Sequence, residues 1–93
     1  MSRNLSTMTL ADAIGILTDY SLIHTTDMGL YDGLCMHNPR IILIDSDAST
    51  RRKPDTIIHE LYHAMHFLRG EGNSEERVQS ETRRTMRKLY GKR

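Results

Sequence analysis

The segment His59-Glu60-Leu61-Tyr62-His63 is the strongest constraint on how this chain can fold. Residues four apart share one face of an α-helix, so the segment has to be helical for its histidines to act together. With five histidines and five glutamates in 93 residues, about 0.014 chance occurrences of the pattern are expected, so a functional reading is favoured. On a helix both imidazoles can reach one Zn²⁺ at ~2.0–2.1 Å. Glu60 lies about 100° further round and is placed to act as general base on a water at the metal. Ile57, Leu61, Ala64, Met65 and Leu68 cluster away from the histidines, so one face of the helix is expected in a core and the other in a cleft. His66 lies one turn beyond His63, too far along the axis for a ligand, and reads as a structural or supporting histidine.

The rest of the chain supplies elements to pack around that helix. Leu10, Ala13, Ile14 and Leu17 predict an amphipathic helix over about Thr9–Tyr20, capped by Thr9 or Thr7. Ser21–Thr26 and Leu34-Cys35-Met36 read as short strands, and Asn38-Pro39 as a turn. Arg40–Asp45 is the clearest strand, β-branched and bounded by turn residues. It is read either as an edge on which an extended peptide docks or as an internal strand. Polar residues then run from Ser46 to Lys53. The central helix is expected from Pro54 or Asp55 to about Arg69, ending at Gly70-Glu71-Gly72-Asn73. Ser74 caps a last helix reaching Tyr90 before Gly91. The order predicts one α+β domain over residues 1–93, with helices packed on a two- or three-stranded sheet.

A catalytic zinc needs a third protein ligand and an open position. Glu75, Glu76 and Glu81 compete for it. If Val78, Met86 and Leu89 form the inward stripe of the last helix, Glu75 falls within it, whereas Glu76 and Glu81 lie to either side. A carboxylate on a buried stripe needs a partner or a metal, which favours Glu75. A plain antiparallel hairpin instead brings positions near Glu81 beside His63. Tyr31, Tyr62 and His37 are candidates for stabilising an oxyanion, although a packing or turn role is the better reading of each. Cys35 reads as a buried inert thiol rather than a thiolate on the metal.

From Asp45 to Leu89 the chain resembles the small gluzincin-type zinc metallopeptidases of phages and mobile elements. These are distantly similar to repressor-cleaving endopeptidases. The matching residues are the strand Ile41-Ile42-Leu43-Ile44-Asp45, Thr56-Ile57-Ile58-His59-Glu60-Leu61-Tyr62-His63-Ala64, the Gly70 turn and Ser74-Glu75-Glu76-Arg77-Val78. The resemblance implies a minimal zincin-like fold and zinc at His59 and His63. It implies Glu60 as base, a third ligand matching Glu75, and a peptide or protein substrate. It also implies that the strand preceding the central helix borders the substrate cleft. Glu81 departs from the family pattern, which has an apolar residue there.

Composition narrows the remaining classes. A single cysteine, Cys35, excludes an intramolecular disulfide scaffold. No stretch approaches the ~20 apolar residues of a membrane span. The first seven residues lack the apolar run of a secretory signal, so a cytoplasmic protein is expected. Residues 1–50 carry two basic and six acidic side chains, whereas residues 75–93 carry seven basic and three acidic. Such a tail suits a nucleic-acid or acidic-protein contact, although basic runs are more often solvated helix faces. The alternative to a peptidase is therefore a zinc-stabilised regulatory domain that binds a partner through its basic last helix.

Overall fold

A computed structural model describes residues 8–26, 28–29, 31–47, 53–72 and 74–91. The elements run α1 (Leu10–Asp19), β1 (Ser21–Thr25), β2 (Gly33–His37), β3 (Arg40–Asp45), α2 (Lys53–Leu68) and α3 (Glu75–Tyr90). The α+β arrangement expected from the sequence is present. Thr7 and most of the polar run before α2 lie outside the described residues. Among the described residues, no helix is long and apolar enough to cross a membrane.

Local chemistry sets the helix ends. Thr9 caps α1 reciprocally with Asp12: Thr9 Oγ1 accepts from the Asp12 amide at 3.1 Å, and Asp12 Oδ2 accepts from the Thr9 amide at 3.0 Å. Ser74 Oγ accepts from the Arg77 amide at 3.0 Å and opens α3. At the end of α2 the Glu71 amide donates to His66 O and the Gly70 amide to Phe67 O. This double closure needs a left-handed residue, and Gly70 supplies it with φ 67°.

The sheet has the order β1-β3-β2, with β1 parallel and β2 antiparallel to β3. Asn38-Pro39 turns β2 into β3, where His37 faces Arg40 across the ladder. Strand β3 is therefore central, and the edge reading of Arg40–Asp45 is corrected. Its Ile42 and Ile44 are fully buried. They point to one face because strand side chains alternate, and they join Leu61, Tyr62, Ala64, Met65 and Val78 in the core.

Two apolar stripes do not lie where periodicity puts them. Leu10, Ile14 and Leu17 of α1 are exposed, and the helix docks instead through Ile16, with Tyr20 just beyond its end. A row at spacings of three and four identifies an apolar face, but what that face meets depends on the neighbouring elements. In α3 the buried row is Val78, Glu81, Thr82 and Met86. Leu89 is 61% exposed, beyond the packed stretch that ends at Met86. Leu68 likewise sits at the end of α2 and is largely exposed.

Candidate metal centre

His59 and His63 project from the middle of α2, and Glu75 from the first turn of α3, toward a common point. His59 Nε2 lies 3.0 Å from Glu75 Oε1 and His63 Nε2 lies 2.6 Å from Glu75 Oε2. One ligand atom from each residue falls within 4.8 Å of the other two, the one such group among the described residues. Two imidazole nitrogens and a carboxylate oxygen are a donor set that suits a divalent transition metal such as zinc. Burial lowers the pKa of His59 despite the opposing pull of Glu75, which favours the neutral, ligating imidazole. Burial also works to raise Glu75, but His63 and His59 hold its carboxyl below the ordinary range.

Burial ranks the glutamates in the opposite order to the one expected from their helix positions. Glu75 is not on a buried stripe: its side chain is 65% exposed. Glu81 is the fully buried carboxylate, and it is committed elsewhere. Its Oε1 lies 2.6 Å from His66 Nε2, and its Oε2 accepts from Arg77 Nε at 3.2 Å. His66 is itself fully buried and meets Glu71 with its other ring nitrogen at 2.9 Å. Its two nitrogens thus face separate carboxylates, which ties α2, the turn and α3 together. The helices are not a plain hairpin with Glu81 beside His63: Glu81 pairs with His66, Thr85 with Tyr62, and Glu75 reaches back to His59 and His63. Glu76 is exposed and belongs to no such cluster.

Glu60 is 7% exposed and stands between two hollows. The larger, about 570 Å³, is lined by Gly33, Thr56, His59, Glu60, Glu75 and Thr82 among others. The smaller, about 190 Å³, lies against Cys35, His37, Glu60, His63 and Glu75. Burial pushes the Glu60 carboxyl up to about 7, opposed by His63 and reinforced by Glu75. Gly33 makes this packing possible. A Cβ there would lie 2.6 Å from Thr56 Cγ2 and 3.2 Å from both Glu60 Cγ and Oε2.

Strand β2, not β3, contributes residues to both hollows, so the expectation for the strand preceding α2 is corrected. The oxyanion candidates also separate. Tyr62 is buried, its hydroxyl accepting from the Met8 amide and bonded to Thr85 Oγ1, which leaves it in the core. Tyr31 is exposed and lines both hollows. His37 lines the smaller one, with Nδ1 2.8 Å from Tyr20 Oη and its ring stacked on Phe67. Burial lifts the Cys35 thiol to about 12, with Glu60 adding to the rise, so it stays protonated and poorly suited to bind metal.

Asp55, Gln79, Thr82 and Arg83, none of them singled out from the sequence as site residues, line the larger hollow. Gln79 and Arg83 are four apart on α3, the spacing that could have paired them. Nothing local points that face toward α2. No protein-family model, curated protein or solved structure matches this chain.

Proposed function

We propose that the chain is a zinc-dependent peptidase in which His59, His63 and Glu75 hold the metal and Glu60 is the general base. The observation that carries this reading is the position of Glu60, buried beside the three ligands and bordering both hollows. A metal that only braced two helices would need no additional carboxylate facing open space. A bound zinc ion supplies Lewis acidity, polarising a carbonyl and lowering the pKa of water.

The protein's own groups do the rest. Glu60 accepts a proton from the attacking water and returns it to the leaving amine. The Tyr31 hydroxyl, exposed at the meeting of the hollows, donates a hydrogen bond to the oxygen that gains charge. Strand β2 is a sheet edge among the described residues and borders the site, so an extended peptide can pair with its backbone.

The reading is tested on purified protein by zinc content and by cleavage of a mixed peptide pool with and without chelator. One zinc per chain is expected, lost in the His59→Ala, His63→Ala double variant. Glu60→Gln should keep zinc while hydrolysis falls by about 10²–10⁴. Zinc binding with no cleavage by the parent protein would favour a regulatory zinc domain instead.

A further inference from the structure

The larger hollow extends from His59 and Glu75 between the first turn of α2 and the middle of α3. Most of its lining residues are polar, among them one orphaned buried hydroxyl and two charged side chains outside any ion pair among the described residues, of which Asp55 acts electrostatically on His59. Thr82 is 5% exposed, and its Oγ1 is buried with no hydrogen-bond partner. An orphaned buried hydroxyl is costly, and a ligand that bonds to it recovers that cost. Asp55 and Arg83 are exposed, line the same hollow, and have no ion-pair partner among the described residues, each other included. Asp32, also in the lining, already has an interaction within the protein.

We infer that this hollow receives a carboxamide side chain of a bound peptide, glutamine or asparagine, beside the bond to be cleaved. The assignment follows from complementarity to opposite charges carried by different elements. A carboxamide offers N–H donors to Asp55 and a carbonyl acceptor to Arg83 and the Thr82 hydroxyl. A glutamate side chain would meet the carboxylates of Asp55, Asp32, Glu60 and Glu75. A lysine, though drawn by those carboxylates, would meet the Arg83 guanidinium with no acceptor to offer it. A leucine would leave Thr82 unpaired. Placing this pocket beside a scissile bond rests on the peptidase reading, but side-chain selection can be read without turnover.

The test uses capped tetrapeptides that differ at one residue, glutamine, glutamate, lysine or leucine, placed on either side of the central bond. Affinity is measured by competition on zinc-loaded Glu60→Gln protein and again on the parent in chelator, so that neither a folding defect nor turnover obscures the ranking. The glutamine peptide should bind at least about tenfold tighter than the other three. Asp55→Asn should bring the glutamate peptide to within about threefold of glutamine, and Arg83→Met should do the same for lysine. Thr82→Val should weaken glutamine binding and leave leucine binding unchanged. Four peptides of equal affinity, no binding of any peptide, or a ranking unmoved by both charge-removing substitutions would overturn the inference. If glutamine is preferred but the parent cleaves none of the four, the pocket stands and the peptidase reading fails.

Discussion

Glu81→Ala separates a carboxylate that holds the fold from one suited to hold a metal. Glu81 is fully buried, and its two oxygens are engaged by His66 and Arg77. His66 is equally buried, so truncation takes the carboxylate from its Nε2 inside the protein, leaving Nδ1 on Glu71, and removes one partner of Arg77. Removing one partner of a buried pair costs about 3–5 kcal/mol. For a domain of this size each kcal/mol shifts the melting temperature by roughly 4–8 °C, so a drop of at least about 12 °C is expected. Glu75→Ala is the control, because its carboxylate is mostly exposed. Its chelated form should stay within about 0.5 kcal/mol of the parent, while zinc affinity and zinc-dependent stabilisation fall together. Urea and thermal unfolding followed by circular dichroism, with and without chelator, measure both. A Glu81→Ala variant within about 1 kcal/mol of the parent would refute the claim that this pair ties α2 to α3. So would loss of zinc binding in a folded Glu81→Ala variant while Glu75→Ala keeps it.

Gly33→Ala forces a methyl toward Thr56 and Glu60. It should cost about 1–3 kcal/mol in unfolding experiments, and peptide hydrolysis should fall further than the stability loss explains. In the chelated protein Glu60 binds its proton more tightly than the unfolded chain does. Its stabilising contribution is therefore full below the ordinary carboxyl range and is lost as pH rises through about 7; comparing the pH dependence of unfolding in Glu60→Gln isolates that loss. Ile14→Ser alters an exposed side chain and should change stability by no more than about 0.5 kcal/mol. A loss of 2 kcal/mol or more, as for a core residue, would return α1 to the orientation its periodicity suggests.

The sequence alone determined what depends on neighbours along the chain. The Thr9 and Ser74 caps, the Gly70 stop, the Asn38-Pro39 turn and the helix carrying His59 and His63 all follow from local backbone chemistry. The facing of the two histidines is part of this, because four residues make nearly one helical turn. Tertiary structure decided whatever depends on which surfaces meet. Glu75 and Glu81 are both glutamates on one helix. One lies open beside two imidazoles and the other is buried against a third. Leu10, Ile14 and Leu17 form a regular apolar row, but Ile16 carries the packing. The same holds for the order β1-β3-β2, which puts the most strand-like sequence in the middle and gives the site edge to β2. Sequence periodicity fixes the angle between side chains on one element. The direction in which the element turns them is set by the packing of the whole core, and no single segment encodes it.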